Sequence, residues 1–446
     1  MTAGERRVEA RDGRRAEGRD GRRVVVTGMG VVTSLGPDLT TTWERLLAGE
    51  SGVRPTTAFD PSRVESRISG EAREADPTRV LDRKAVRRTD RATHLSLLAT
   101  QEALAQAGLP ERLEGELAER TGAFIGTGFG GSSTIFEEIR TYVERGPDRI
   151  SPFFVPMSLA NMTPGYVGIA FGARGPNMAP VSACASGGNA IGEAAETIRR
   201  GDADVMLAGG TEAAVVEGII AGFAAMHALS TRNDDPAAAS RPFDASRDGF
   251  VVAEGAGTLV LEALEHATTR GARILAEVEG YGATADAHHV TLPPPGADGA
   301  VRAARRALEK AGRSIAEVDV VSAHATSTLE GDRAELRGMR ALFGDGATDA
   351  NAPLGADRRV AVTATKSALG HTLGAAGAIA AAVTIQALLS GRVPPILNLD
   401  DPDPESGSLD LVRGEARSGT YRLALVNAFG FGGQNSVLLF SKWGEA

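Results

Sequence analysis

The chain contains a single cysteine, Cys184, and its neighbours suit nucleophilic chemistry. The residues at 177–181 form a short strand-like run, and a helical pattern follows Cys184 as far as Arg200. A thiol at the start of a helix lies near unpaired backbone N–H groups and the positive end of the helix dipole, which both stabilise a thiolate. The sequence therefore predicts an activated sulfur nucleophile. The alternative is that Cys184 is a small buried hydrophobic residue.

Two histidines each lie at the predicted end of a strand. His324 is followed by Ala-Thr-Ser-Thr, and His371 lies five residues after Lys366 in a glycine-flanked loop. Phe429 begins a further glycine-rich turn, Phe-Gly-Phe-Gly-Gly, which could aim backbone N–H groups at an oxyanion. A lone histidine is more often structural, and Phe429 could simply be a core aromatic beside a turn. Two histidines at strand ends favour the catalytic interpretation.

The composition favours a large α/β enzyme. With 446 residues, 42% of them hydrophobic, and 55 glycines, the chain can form two domains or one duplicated domain. One cysteine excludes an intramolecular disulfide and argues against a zinc cluster, so we expect no metal and a reducing, cytoplasmic location. The net charge of −9 argues against nucleic acid or an anionic membrane as the main partner. The longest apolar run, 375–389, is too short to span a bilayer.

The N-terminal residues 1–22 are rich in arginine, but acidic residues are interleaved with the arginines. A transit peptide would be poor in acids, so we predict a disordered, solvated tail. A nucleic-acid-binding arm is the alternative, which the interleaved acids disfavour. A second group of basic residues occurs in the first turns of a predicted helix at 81–107. This basic cluster is usually a solvated face, but on an acidic protein it is also a candidate docking site for an acidic partner. It consists of Arg83, Lys84, Arg87 and Arg88.

The rest of the chain alternates strand-like and helical segments in two halves, 23–272 and 273–446. Strands are expected at 23–28, 121–126, 204–212 and 250–262, and then at 274–284, 318–322, 422–428 and 436–441. Further helices are expected at 42–47, 298–312 and 374–390, whereas 132–165 is predicted to be an ordered loop excursion. The strand-and-glycine pattern that begins at Val24 is echoed at Ile274. We therefore predict two similar α/β units packed together.

Taken together, these motifs resemble the β-ketoacyl-acyl-carrier-protein synthases of the thiolase superfamily, and most closely their synthase II branch. The resemblance runs from about Arg23 to Phe440 and includes Ala225-Met-His-Ala-Leu-Ser-Thr-Arg-Asn-Asp, Ser240-Arg-Pro-Phe-Asp and Arg247-Asp-Gly-Phe. It implies an α/β, thiolase-like five-layer αβαβα fold with two duplicated halves, the first carrying the cysteine and the second the two histidines. It also implies a homodimer, or a heterodimer with a related ketosynthase-like subunit.

The resemblance assigns a role to each candidate catalytic residue. Cys184 would accept an acyl chain from the phosphopantetheine of an acyl carrier protein. His324 and His371 would stabilise the enolate that forms when malonyl-carrier protein loses carbon dioxide. Lys366 would orient the histidine region and adjust its electrostatics.

The resemblance also implies how the substrates are held. The backbone N–H of Phe429 would bind the oxyanion beside that of Cys184, and the Phe429 ring would gate the acyl pocket. Thr326 and Thr328 would hydrogen-bond the pantetheine arm, and the basic cluster would contact the carrier protein. No cofactor beyond the carrier's phosphopantetheine is implied.

Three residues depart from the family pattern and leave the pathway open between fatty-acid and type II polyketide biosynthesis. Ala325 replaces the usual glycine, Ser322 the usual asparagine, and Gln434 a threonine or histidine. Three other functions are weighed beside a condensing enzyme. A non-catalytic chain-length-factor-like subunit would lack the nucleophile, and a thiolase would need a second reactive cysteine. A cysteine hydrolase would need a carboxylate or amide orienting one histidine.

Overall fold

The computed structural model describes residues 21–344 and 360–444. Residues 1–20, where most of the predicted disordered tail falls, lie outside the described residues. The strands of the first half are β1 (Val24–Val32), β2 (Arg54–Pro55), β3 (Ile68–Ser69), β4 (Thr121–Gly126), β5 (Asn177–Met178), β6 (Val205–Glu212) and β7 (Gly255–Ala263). Its helices are α1 (Leu39–Leu47), α2 (Arg83–Val86), α3 (Arg91–Ala107), α4 (Gly115–Glu119), α5 (Ser132–Arg145), α6 (Phe154–Ser158), α7 (Met162–Phe171), α8 (Ser186–Arg199), α9 (Glu217–Ala225) and α10 (Leu264–Thr269).

The second half follows the same alternation of strands and helices. Its strands are β8 (Ala276–Ala285), β9 (Val320–Ser322), β10 (Ala361–Thr363), β11 (Arg392–Val393), β12 (Asp410–Leu411), β13 (Arg417–Ser418), β14 (Leu423–Gly430) and β15 (Gln434–Lys442). Its helices are α11 (Asp298–Ala311), α12 (Leu329–Phe343), α13 (Lys366–Leu369) and α14 (Ala376–Ser390). Eleven strands form one sheet in the order β12-β10-β9-β14-β15-β8-β1-β7-β6-β4-β5.

The two halves of this sheet have the same topology. Their main strands, in chain order, are β1, β4, β5, β6 and β7 in the first half and β8, β9, β10, β14 and β15 in the second. Counted outward from the β1–β8 junction, the main strands of each half lie in the order first, fifth, fourth, second, third, where each number is the strand's place along the chain. In both halves the three strands nearest the junction pair antiparallel with one another, and each of the two outer strands pairs parallel with its inner neighbour. The prediction of an α/β fold with duplicated halves is confirmed, whereas a domain boundary at residue 272 stays a prediction.

Helices α8 and α14 lie between the two halves of the sheet and contact strands of both. Helices α3 and α7 cover the outer face of the first half, and α11 and α12 cover that of the second, which gives the layers αβαβα. Helix α14 is alanine-rich and almost entirely buried. The stretch Leu373–Ser390 is long and apolar enough to cross a membrane, but 83% of it is buried inside the protein. It is the core helix of the second half.

The echo between the two halves has a packing cause. In β1, a Cβ on Gly28 or Gly30 would lie 2.0 or 1.9 Å from a backbone oxygen of α3. In β8, a Cβ on Gly280 or Gly282 would lie 2.0 or 1.9 Å from a backbone oxygen of α11. Each outer helix therefore packs directly on the backbone of its strand, which only glycine permits.

Several predicted elements are wrong in their extent. The helix predicted at 81–107 is interrupted, because Asp90 accepts hydrogen bonds from the backbone N–H groups of Ala92 and Thr134 and caps a new helix, α3. The segment 132–165, predicted as loop, contains α5, α6 and the start of α7. The strand predicted at 250–262 begins only at Gly255, because the residues before it form single bridges to Leu229 and His371.

Candidate active site

Cys184 lies in a 3₁₀ turn, Ala183–Ala185, that leads directly into α8. The Ser186 hydroxyl accepts a hydrogen bond from the N–H of Ser182 at 2.9 Å and donates to the carbonyl of Ala183 at 2.6 Å, so it holds this turn closed. Ala183 has a left-handed φ of 49°, a strained conformation of the kind found at functional sites. The thiol therefore lies at the start of a helix, at the position that the sequence indicates.

The structure brings both histidines to Cys184. The Nε2 atom of His371 lies 3.1 Å from the sulfur, and the His324 and His371 rings meet edge to face at 5.5 Å. A ligand atom of each of the three side chains lies within 4.8 Å of the others, and all three residues are buried. The backbone of His371 is fixed by hydrogen bonds to Val251 and Ala253. The three residues form one site, although 140 and 187 positions separate the cysteine from the histidines.

The hydrogen bonds of His371 define its tautomer. The N–H of Leu373 donates to Nδ1 of His371 at 3.2 Å, so Nδ1 is an acceptor and the proton of the neutral ring lies on Nε2. Burial lowers the pKa of both His324 and His371 well below the usual range, and the charge of Lys366 acts in the same direction. Both rings are therefore neutral at physiological pH and act as N–H donors rather than as cations.

Lys366 holds His324 through a hydrogen bond to the backbone of that histidine. Its Nζ donates to the carbonyl of His324 at 2.6 Å from a buried position. Burial lowers the pKa of Lys366 to about 8, against the attraction of the Glu335 carboxylate. Below that pH the ammonium group is a fixed positive charge inside the site.

The thiol of Cys184 is protonated in the resting site. Burial raises its pKa to about 12, and the charge of Glu212 acts in the same direction. Lys366 and hydrogen bonds from the backbone N–H groups of Cys184 and Phe431 lower the pKa, but by less. Desolvation thus outweighs the groups that favour the thiolate in the resting site, and the activation of the sulfur stays a prediction.

A cavity of about 710 Å³ connects these residues with the surface. Thr326 and Thr328 line it, and their hydroxyl oxygens lie 2.9 Å apart. Phe223 packs against Phe129, Phe250 and Phe431, with ring centroids at 6.2, 5.1 and 6.4 Å. The cavity therefore has a polar arm, formed by Thr326 and Thr328, and an aromatic wall, and Cys184 lines the same cavity.

Two family models cover most of the chain: the N-terminal domain of β-ketoacyl synthases matches residues 21–267, and the C-terminal domain matches residues 275–400. The chain belongs to the β-ketoacyl synthase family. It is 44% identical to a 3-oxoacyl-[acyl-carrier-protein] synthase 2 of Synechocystis over 94% of this chain and 98% of that protein. It is 43% identical to the protein of the same name from Staphylococcus aureus, with the same coverage.

Solved structures of other ketosynthases superpose closely on this one. A β-ketoacyl synthase from Burkholderia phymatum gives a TM-score of 0.86 at 36% identity, covering 94% of this chain and 99% of that one. The ishigamide ketosynthase/chain length factor gives 0.86 at 34% identity, covering 95% and 100%. A type II polyketide ketosynthase in complex with its acyl-carrier protein gives 0.83 at 31% identity, covering 95% and 99%. The thiolase-like fold class is thereby confirmed.

Glu335, which was not predicted from the sequence, supports this ketosynthase site through hydrogen bonds to the His324 loop. Its carboxylate accepts hydrogen bonds from the N–H groups of His324 at 2.8 Å and Ala325 at 2.7 Å, and from the Asn427 amide at 3.0 Å. Burial raises the pKa of Glu335. The signal that could have identified Glu335 is an acidic residue on the apolar face of a helix. That helix, α12, directly follows the His324 loop and was itself not predicted.

The departures from the family pattern leave the catalytic groups in place. Ala325 is buried and has a left-handed φ of 37°, so it adopts, at a cost in backbone strain, the conformation that glycine would favour. The Ser322 hydroxyl is buried and has no hydrogen-bond partner within residues 21–344 and 360–444. Gln434 lies exposed at the start of β15.

The glycine-rich turn differs from its predicted role. The Phe429 ring packs against His324 at 5.5 Å, whereas the backbone N–H that bonds the sulfur belongs to Phe431. Phe431 is also partly exposed and lines the aromatic wall. Strand β14 ends at Gly430, so the N–H of Phe431 lies beyond the strand. This position favours Phe431 over Phe429 as the oxyanion donor, and the role of Phe429 stays a prediction.

The basic cluster lies on α2 and the turn that follows it. Arg83, Lys84 and Arg87 are exposed, and the Arg88 guanidinium lies 4.6 Å from the centre of the Phe153 ring. The Asp82 side chain caps α2 by accepting from the N–H groups of Lys84 and Ala85. The cluster is thus held on an ordered turn and presents its charge to solvent.

Proposed function

We propose that this ketosynthase catalyses a decarboxylative Claisen condensation of malonyl-acyl carrier protein with an acyl chain bound to Cys184. The observation that carries the proposal is one thiol and two neutral imidazoles within 4.8 Å in a buried cavity. A cysteine hydrolase would need a carboxylate or amide against an imidazole. Here Nδ1 of His371 accepts from a backbone N–H, and Nδ1 of His324 has no partner in the described parts of the chain.

In the loading step, the sulfur of Cys184 attacks the thioester carbonyl of acyl-phosphopantetheine. The carbonyl oxygen becomes an oxyanion, to which the backbone N–H groups of Cys184 and Phe431 donate. The C–S bond to pantetheine breaks, and the pantetheine sulfur leaves with the proton that the Cys184 thiol loses. One thiol and one thioester are exchanged without a change in net charge. Thr326 and Thr328, in the polar arm of the cavity, bind the pantetheine arm.

In the condensation step, malonyl-carrier protein loses carbon dioxide and the electron pair moves onto its thioester oxygen. The Nε2–H of His371 and an N–H of His324 stabilise this enolate. Because both rings are neutral, they donate hydrogen bonds without protonating the carbanion. The carbanion then attacks the acyl thioester, and the tetrahedral intermediate collapses to β-ketoacyl-carrier protein as its C–S bond breaks. The Cys184 thiolate that leaves takes up a proton from solvent and returns to the resting thiol.

The acyl carrier protein docks on the basic cluster. On a chain of net charge −9, these exposed cations form a local positive surface that complements an acidic partner.

The condensation belongs to fatty-acid or type II polyketide biosynthesis. The curated relatives are named for carrier-protein synthases and a solved relative is a polyketide ketosynthase with its carrier. A non-catalytic chain-length-factor role is disfavoured, because the nucleophile and both histidines meet in one cavity.

The free edge of the sheet supports assembly as a dimer. Strand β5 ends the sheet, and both of its residues are exposed. Apolar side chains are exposed on α5 and beside β5: Phe136, Ile139, Val143, Met178 and Val181. An uncovered edge strand with apolar neighbours pairs readily with a second chain. The partner is a second copy or a related ketosynthase-like subunit.

We also infer a soluble, cytoplasmic enzyme that uses no cofactor beyond the carrier's phosphopantetheine. The single cysteine is a free thiol, and this nucleophile works only in a reducing compartment.

Incubation with carrier proteins that bear acyl chains of graded length, followed by intact-mass analysis, tests the proposed condensing function. One adduct is expected, and it should be absent in Cys184→Ala. An adduct that persists in this variant would contradict the assignment.

A further inference from the structure

One buried carboxylate beside the site has no part in the proposed chemistry. Glu212 is the last residue of β6 and has no exposed surface. Its interactions are all hydrogen bonds from neutral donors, and it forms no ion pair within the described part of the chain. Burying a carboxylate without an ion pair costs free energy unless hydrogen bonds occupy its acceptor sites.

The four donors of Glu212 come from two separate loops. One oxygen accepts from the N–H of Gly128 at 2.7 Å and the N–H of Gly374 at 3.0 Å. The other accepts from the hydroxyl of Thr127 at 3.0 Å and the N–H of Phe129 at 3.2 Å. A Cβ on Gly128 or Gly374 would lie 2.7 or 2.8 Å from this carboxylate, so the two glycine turns close tightly around it.

These two loops carry opposite walls of the site. The loop at 127–129 follows β4 and places Phe129 in the aromatic wall of the cavity. The turn at 372–375 follows His371, and its Leu373 N–H is the donor that fixes the tautomer of that histidine. Glu212 therefore joins the aromatic wall of the cavity to the backbone that orients the imidazole.

We propose that Glu212 is a positioning residue for His371: its carboxylate clamps the turn at 372–375 to the loop at 127–129 and thereby fixes the direction of Nε2. Burial raises the pKa of Glu212 to about 7, so the carboxylate is charged above that pH, where its negative charge opposes deprotonation of Cys184. Glu212 thus favours the decarboxylation geometry at the expense of thiol reactivity. This inference rests on the proposed function only through its decarboxylation measurement.

Glu212→Gln tests the assignment, because the two effects of the carboxylate then move in opposite directions. In either orientation the glutamine NH₂ group meets a backbone N–H, either that of Phe129 or those of Gly128 and Gly374, so at least one contact of the clamp is lost. A displacement of about 1 Å at a reacting group can cost about 100-fold, and we expect carbon dioxide release from malonyl-carrier protein to fall by about 10- to 100-fold. Alkylation of Cys184 by iodoacetamide should become faster, with its pH profile shifted to lower pH. The charged group that remains near the sulfur is Lys366, beside the neutral His324 and His371.

Two further variants make the test specific. Glu212→Asp keeps the charge but is too short to reach both loops, so it should retain the parental alkylation profile and still lose decarboxylation. Glu262→Gln removes another buried carboxylate, one bonded to Arg270 and outside the cavity, and should change neither rate. The assignment requires slower decarboxylation together with faster alkylation in Glu212→Gln, and any other combination overturns it. If the parental enzyme itself releases no carbon dioxide, the proposed function fails, while the alkylation measurement still tests the placement of Glu212.

Discussion

Replacing His371 by alanine should separate the two half-reactions of the enzyme. The substitution removes the Nε2–H, which lies 3.1 Å from the sulfur, and leaves the backbone donors of Cys184 and Phe431 in place. Loss of one preorganised donor to an oxyanion costs about 10²–10³ in rate, or about 3–4 kcal/mol. We expect the lower end of this range, because His371 lines the cavity and water can enter the vacated space. Acyl loading should slow by less than about 10-fold, since its oxyanion keeps both donors.

Two measurements on the same samples check this expectation. Carbon dioxide release is followed from malonyl-carrier protein labelled in its free carboxylate, and acyl-enzyme formation is followed by intact mass. His324→Ala should show the same separation. His266→Ala is the control, because His266 bonds Glu262 near the end of β7 and does not line the cavity. If His371→Ala releases carbon dioxide at the parental rate, the donor role is wrong. Equal loss of both activities would instead show that the thiol itself depends on this imidazole.

Three further predictions follow from the electrostatics and the backbone. Lys366→Met should slow Cys184 alkylation below about pH 8, where Lys366 is charged, because the cation that favours the thiolate is lost; an unchanged rate at pH 7 would contradict this. Charge reversal of the basic cluster should raise KM for carrier-bound substrate and weaken its salt dependence, with little effect on a small pantetheine thioester. Equal loss on both substrates would indicate misfolding. Ala325→Gly should change stability by less than about 1 kcal/mol, because relief of left-handed strain offsets the lost buried methyl group. Ala325→Val should cost more than about 2 kcal/mol; denaturation midpoints in urea compare the two.

The candidate catalytic residues could be picked out because their chemistry is visible locally. A lone thiol before a helical pattern, a histidine after a strand and a second histidine five residues after a lysine are all short-range signals. The prediction that His371 ends a strand is wrong, because the helix α13 lies between β10 and this histidine. The duplicated fold could be predicted from the glycine echo, since Gly28 and Gly280 serve the same close approach of a helix to a strand.

The supporting carboxylates could not be predicted, because their partners are distant in the chain. Glu212 accepts from a loop 84 positions upstream and from a turn 162 positions downstream. The break in the helix predicted at 81–107 has the same origin, since Asp90 is held by Thr134, 44 positions away. Helix α5, by contrast, could have been predicted, because Phe136, Ile139 and Val143 recur at helical spacing, although the apolar face they form is exposed.

The duplication also accounts for the meeting of nucleophile and imidazole. A three-residue 3₁₀ turn precedes each central helix, Ala183–Ala185 before α8 and Leu373–Ala375 before α14. The first residue of each turn is left-handed, with φ values of 49° and 44°. One turn contains Cys184, and the other follows His371 and fixes its ring. The two halves therefore contribute the same local structure and place different chemistry on it.

The contact between these two helix starts is made by backbone. A Cβ on Gly187 in α8 would lie 2.8 Å from the carbonyl oxygen of Gly374, and a Cβ on Gly377 in α14 would lie 2.7 Å from the N–H nitrogen of Gly188. The approach is reciprocal, as expected for equivalent elements that pack across a duplicated fold. Because glycine permits both contacts, the helices come close enough for the sulfur and Nε2 to lie 3.1 Å apart. The catalytic distance is thus determined by the packing of two helix starts, and the side chains only complete it.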